Sequence, residues 1–276
     1  MIHEPILASG ASSTTVSVLT ALLEARTGQQ MAAYRSWRID TALKPLLRDR
    51  GFDSLDRLVQ LLLDGTEPTI GDAIVDALLN QETSFFRDAQ VFDLIVEAVA
   101  AVEGTGRVPR IWCAGCSTGQ EPLSLAMVFA ERAEDTGKRA PEIVATDVSP
   151  AAITRAKTGR YTQFEIQRGL PIRRMMRWFD SEGADWTAKP VLTGAVRYSR
   201  HNLVGGRPPP GRFDIVLCRN VLLYLAPETK ATAFAGIAAA MNPGGTLALG
   251  AGETVIGQTR AFTPSKTHRG LYTHTG

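Results

Sequence analysis

The stretch IWCAGCSTGQEPLSLAMVFAE, Ile111 to Glu131, decides the fold. It enters as a run of apolar and small residues, passes Gly115 and Gly119, and leaves with apolar residues at helical spacing. That order reads as a strand, a tight glycine-bearing turn and a helix. The two usual phosphate fingerprints are absent, because the glycines are spaced GxxxG rather than GxGxxG and no GxxxxGK[ST] loop occurs. At the helix start stands Glu121-Pro122, where free N–H groups favour an anion. The chain has placed its own carboxylate there, which argues against a phosphate ligand.

Outward from this unit the same rhythm repeats. RIWCAG, PEIVATD and RFDIVLCRN are short apolar runs, each followed by a helix-like segment, and GTLALGAG is another such run. Apolar strands alternating with helices predict an α/β fold with parallel strands in a doubly wound sheet. Upstream, from Val16 to Asn80, the pattern is helical throughout, with Ser54 as a candidate N-cap and Gly65 as a stop. Pro45 is expected to start a new turn or to kink its helix. The expected organisation is a disordered 1–15, a helical domain over 16–80 and a sheet domain over 81–276. WTAKPVLTGAVRYS predicts a small β-subdomain at about 183–200.

At 276 residues, 44% apolar and 21% charged, the composition is that of an ordinary soluble globular protein. No apolar run approaches the roughly 20 residues that span a bilayer. The start MIHEPILASGASSTT lacks the features of a signal peptide. A cytoplasmic protein without membrane insertion is expected. Cys113 and Cys116 form a CxxC, but Cys218 and four scattered histidines offer no second cluster for zinc, so no metal is expected. Residues 151–210 hold 11 basic and 4 acidic residues, a balance of +7 that would suit an acidic partner. No nucleic-acid-binding signature accompanies it.

In a doubly wound sheet, ligands bind beyond the carboxyl ends of the strands. Four punctuated segments fall at such ends: CAGCSTGQE, TDVSP, HNL and CRNVLLYL. Asp147 ends the second strand, where an acid commonly takes ribose hydroxyls. With Glu121 it would repel a pyrophosphate but suit a nucleoside that carries positive charge, such as S-adenosylmethionine. Two plainer readings stand beside this one: Asp147 as a helix cap and Glu121 as a first-turn acid. NQETSFFRD, Asn80 to Asp88, joins the helical and sheet domains. Arg87 there is suited to bind a carboxylate bidentately or to make a linker salt bridge, with Phe85 and Phe86 as core anchors.

These blocks, NQETSFFRD, CAGCSTGQEPLSLA, ATDVSP, YTQFEIQRGLP, NL and FDIVLCRNVLLYL, resemble in order the chemotaxis protein-glutamate methyltransferases of bacteria. The similarity runs from about Thr20 to Tyr272. It implies a helical N-terminal domain and a Rossmann-like methyltransferase domain with an inserted β-subdomain. It also implies S-adenosylmethionine as cofactor, S-adenosylhomocysteine as product, and glutamate side chains on the cytoplasmic helices of chemoreceptors as substrate. A receptor C-terminal tail would then be a candidate ligand of the β-subdomain. Gln81, Thr83, Arg87, Glu121, Asp147, Asn202, Leu203, Arg219 and Asn220 occupy the family's cofactor-contacting positions, and Arg87 and Tyr224 those that border the methyl acceptor.

Two departures stand out. Gln81 occupies a position usually held by asparagine, with Asn80 one place earlier. The arginine-rich helix that meets the receptor is reduced here to Lys44, Arg48 and Arg50, with Ala42 and Pro45 at places where basic residues often stand. The chemistry itself needs little from the protein: a glutamate carboxylate is ionised near neutral pH, so alignment and exclusion of water suffice. The alternatives are a catalytically weak S-adenosylmethionine-binding regulatory module and a methyltransferase for another protein or a small molecule.

Overall fold

The computed structural model describes residues 11–31 and 37–276. The expected disorder of 1–15 lies outside the described residues for 1–10, and from Ser13 the chain is already helical. The described residues form two compact units, one containing the chain through Asn80 together with Tyr224–Ala226, the other Gln81–Leu223 with Pro227–Gly276.

The first unit holds helices α1 (Ser13–Thr27), α2 (Trp37–Arg50), α3 (Leu55–Asp64) and α4 (Ile70–Leu78). Each end has a local cause. Ser54 caps α3 by accepting the Arg57 N–H at 3.3 Å, and Gly65 ends it in the left-handed conformation. Pro45 lies inside α2, which runs on past it. Leu19, Ile39, Leu43, Leu58 and Ile74 are fully buried and make up this unit's core.

The second unit runs α5 (Gln90–Glu103), β1 (Arg110–Ala114), α6 (Gln120–Thr136), β2 (Glu142–Asp147), α7 (Pro150–Thr158), β3 (Arg160–Thr162), α8 (Gln163–Gln167), α9 (Ile172–Trp178), β4 (Phe179–Glu182), β5 (Asp185–Ala188), α10 (Pro190–Thr193), β6 (Val196–Arg200), β7 (Phe213–Cys218), α11 (Pro227–Ala239), β8 (Met241–Leu249), β9 (Phe262–Pro264) and β10 (Tyr272–His274). Seven of the strands make one sheet in the order β6-β2-β1-β7-β8-β10-β9. Its first five are parallel, and β10 and β9 add an antiparallel edge. The α/β sheet expected from the apolar runs is present. β1 and β7 are almost wholly buried, as a parallel strand packed on both faces must be. Trp112 is fully buried, and its indole N–H is satisfied by the Thr146 hydroxyl at 2.9 Å.

The strand order reverses at β1, with β2 leaving on one side and β7 on the other. That is a topological switch point, and it opens the crevice where ligands of such sheets bind.

The inserted sheet differs in extent from the 183–200 expectation. It consists of β3, β5 and β4, all antiparallel, so it begins at Arg160. Val196–Arg200 belongs instead to the main sheet, paired in parallel with β2 from Ile143↔Val196 to Asp147↔Arg200. The alternation in VRYSR describes an edge strand equally well in either sheet, and only the long-range pairing decides between them.

Candidate functional site

The site is built where β1, β2, β6 and β7 end. After β1 the chain turns through Gly115 at φ +85°, Ser117 at +50° and Gly119 at +95°. A Cβ at Gly115 would lie 2.4 Å from Val221 Cγ2, and one at Gly119 would lie 2.9 Å from Ala156 Cβ. Both glycines are therefore required by packing as well as by backbone conformation. The turn is pinned to β2, since the N–H groups of Gly115 and Cys116 donate to the Thr146 carbonyl at 2.8 and 2.9 Å.

Asp147 closes this turn. Its Oδ2 accepts the Ser117 N–H at 2.8 Å and its Oδ1 the Ser149 N–H at 3.0 Å. Ser149, not Asp147, caps α7, by accepting the Ala152 N–H at 3.0 Å. The plainer cap reading is thus taken up by the neighbouring serine.

Gln81 is drawn into the same cluster. Its Nε2 donates to Ser149 Oγ at 3.1 Å, and its carbonyl accepts from Ser117 Oγ at 2.9 Å. The following residues are anchored by Phe85, whose ring meets Tyr161 and Phe179 edge-on at 5.0 and 5.6 Å, and by the Phe86 N–H on Ser124 Oγ at 3.1 Å. Phe85 and Phe86 are core residues, as expected. Arg87 lies between Phe86 at φ +49° and Asp88 at φ +54°. Its guanidinium makes no hydrogen bond or ion pair among the described residues.

Arg219 and Glu121 form the interior of the site. Arg219 is only 2% exposed; its Nη1 donates to Glu121 Oε2 at 2.8 Å, and its Nη2 to the Arg87 carbonyl at 2.9 Å and Asp88 Oδ2 at 2.6 Å. Burial pushes the Glu121 carboxyl above its ordinary range, and Arg219, with Arg87 further off, opposes the rise. The carboxylate at the start of α6 thus already has an internal cation. This residue set, an acid at a strand end beside a glycine turn, fits a nucleoside.

Asn220 follows at φ +58°. Its side-chain amide lies against Gly250, where a Cβ would come within 2.7 Å of Nδ2. Asn202, beyond β6, accepts the Val204 N–H on Oδ1 at 3.1 Å, and Leu203 beside it is half-buried. Thr83 is half-buried. Tyr224 groups with the helical unit, where its hydroxyl accepts from Asn80 Nδ2 and its carbonyl takes the Gln30 N–H at 2.8 Å. The non-glycine residues with positive φ among those described, Phe86, Asp88, Ser117 and Asn220, all belong to the segments that form the site. Residues in such sparsely populated conformations cluster at ligand-binding and catalytic segments of proteins, in keeping with a candidate site here.

Cys113, Cys116 and Cys218 are buried free thiols, pushed up by burial, and they pack as small residues at strand ends. No helix among the described residues is long and apolar enough to cross a membrane. Sequence reasoning did not identify Ser117, Ser149 or Glu253 as site residues. Ser117 and Ser149 stood inside quoted motifs; Glu253 stood in none.

The family described as CheR methyltransferase, SAM binding domain, matches residues 81–271. Chemotaxis protein methyltransferase Cher2 of Pseudomonas putida is 35% identical over 242 residues, covering 85% of this chain and 88% of the relative. Chemotaxis protein methyltransferase 1 of Pseudomonas aeruginosa is 34% identical over 253 residues, covering 89% and 92%. The chemotaxis protein methyltransferase of Vibrio anguillarum is 32% identical, covering 90% and 92%. A strand-end acid, a glycine turn and a matched S-adenosylmethionine-binding domain converge on S-adenosylmethionine-dependent methyl transfer, and the chain belongs to the CheR methyltransferase family.

Proposed function

We propose that the protein moves a methyl group from S-adenosylmethionine to glutamate side chains of chemoreceptors, forming methyl esters. The observation that carries this reading is the likeness to chemotaxis protein methyltransferases along about nine-tenths of both chains. The site is in keeping with it. When bound, the cofactor supplies a methyl group already activated on a sulfonium. Asp147 would hold the ribose hydroxyls, Gln81, Thr83, Asn202, Leu203 and Asn220 would border the nucleoside, and Arg219, held between Glu121 and Asp88, would form the wall behind it. The acceptor is an anion at neutral pH and requires no general base. The Arg87 guanidinium is in reserve to orient a carboxylate in a bidentate manner, and alignment with exclusion of water supplies the rate.

The test is to incubate the protein with methyl-labelled S-adenosylmethionine and chemoreceptor-containing membranes, then to add alkali. Esters release volatile labelled methanol and methylated amines do not. Label that survives alkali on the protein would sink the glutamate reading. Arg87→Ala should lose transfer while keeping the wild-type melting temperature, and parallel loss of both would mean that Arg87 acts through the fold rather than on the acceptor.

A further inference from the structure

Glu253 lies in the loop after β8, and its carboxylate accepts four backbone N–H groups. Oε2 takes those of Asn220 and Gly250, each at 2.8 Å, and Oε1 takes those of Val221 and Leu223 at 2.9 and 3.1 Å. A carboxylate offers about four lone-pair sites, so this one is filled by the backbone alone. The Glu253 N–H closes the loop on the Gly250 carbonyl at 2.9 Å. Three of the four donors are freed as β7 ends and the chain turns through Asn220 into the short helical turn Leu222–Tyr224. Charge-assisted bonds to a carboxylate are stronger than bonds to neutral groups.

The clamp sets two contacts. It holds Val221 against Gly115 in the turn after β1, and it holds the Asn220 amide against Gly250 with φ at +58°. We propose that Glu253 is a positioning residue for methyl transfer: it fixes the left-handed Asn220 and so aims that side chain at the bound nucleoside. The proposal rests on the cofactor reading of Asn220 given above, and its first test does not.

Hydrogen exchange is measured on the full chain without ligand, comparing wild type with Glu253→Gln. Glutamine keeps the volume but turns an NH2 toward two of the four donors, so donors face donors. Protection of the 219–225 amides should fall about tenfold or more, while the β1 and β2 amides keep theirs. By calorimetry the affinity for S-adenosylhomocysteine should fall about tenfold, KM for S-adenosylmethionine should rise in step, and kcat at saturation should change less. Glu253→Asp should restore part of the affinity. In an Asn220→Ala background the same Glu253→Gln change should cost less than about twofold, since both act on one interaction. Unchanged protection at 219–225 would overturn the clamp. Lost protection with unchanged affinity, or fully additive effects of the two substitutions, would overturn the positioning role. A wild-type chain that binds no S-adenosylhomocysteine would overturn the functional reading and this proposal with it, and the ligand-free exchange tells that failure from a clamp that never formed.

Discussion

Arg219 Nη1 donates to Glu121 Oε2 at 2.8 Å, and the Arg219 side chain is 2% exposed against 16% for that of Glu121. Removing one partner of such a pair leaves the other buried and uncompensated, typically at a cost of about 3–5 kcal/mol. Arg219→Met should therefore destabilise the fold strongly in urea titrations at pH 7.5. Without its cation the Glu121 carboxyl rises further than burial already sets it. A carboxyl raised in the folded state favours folding at low pH and loses that advantage as pH rises through its folded value. The deficit of Arg219→Met should therefore shrink as pH falls toward 5, and Glu121→Gln combined with Arg219→Met should recover much of it. A deficit independent of pH, or a double variant no better than the single, would show that the pair is not the source of the loss.

Asp147 gives a test of the cofactor site itself. It accepts the N–H groups of Ser149 and Ser117, and the turn after β1 depends on the second of these. Asp147→Ala should weaken S-adenosylhomocysteine binding by roughly 1–3 kcal/mol, or about fivefold to 150-fold, in calorimetry. Asp147→Asn keeps one acceptor oxygen and should fall between wild type and alanine. An affinity unchanged in a folded Asp147→Ala variant would remove this residue from the site.

How much of this was legible in the sequence follows from the range of each interaction. Four strands of the main sheet, β1, β2, β7 and β8, were legible because their apolar runs are local signals, and Gly65, Ser54 and Ser149 act within a few residues of where they stand. β3 was not, because three residues carry no usable periodicity and its partner Thr187 lies far along the chain from Arg160. The clusters around Asp147 and Arg219 were legible as residue types at strand ends. Their connectivity was not, since Glu121 reaches Arg219 and Glu253 reaches Asn220 only after the sheet has assembled. The basic segment 151–210 shows the same limit. Arg168, Arg174, Arg177 and Arg197 pair with Glu82, Glu131, Glu134 and Glu142, acids outside that segment, so its +7 balance overstates the field it presents.

Away from the site, Glu103 ties the end of α5 to α6. Arg132 donates to both of its oxygens at 2.6 and 2.7 Å and Lys138 adds a bond at 3.0 Å, which together hold the carboxyl down to about 2. A carboxyl depressed in the folded state contributes stability above its unfolded value and loses it as pH falls through the folded one. The usable part, after solvent screening, is about 1 kcal/mol. Glu103→Gln should be less stable than wild type by that amount at pH 6, and the two urea curves should converge between pH 4.5 and pH 2. Curves that stay parallel across that range would deny Glu103 this role.

The last prediction tests whether the turn after β1 and the loop after β7 are one mechanical unit. At Gly115 two separate penalties meet: φ of +85°, which side chains other than glycine rarely adopt, and a Cβ position 2.4 Å from Val221 Cγ2. The first costs about 1–2 kcal/mol whatever the neighbours. The second is overpacking against a branched side chain, and typically adds about 1–3 kcal/mol. Val221→Ala removes the methyl that clashes and leaves only ordinary contact with the remaining Cβ, 3.5 Å away. Gly115→Ala should therefore lose stability and cofactor affinity together. Adding Val221→Ala should recover the overpacking part and leave the conformational part. A double variant with the summed losses of the two singles would mean that Val221 moves aside freely, and that the two loops are not coupled through this contact.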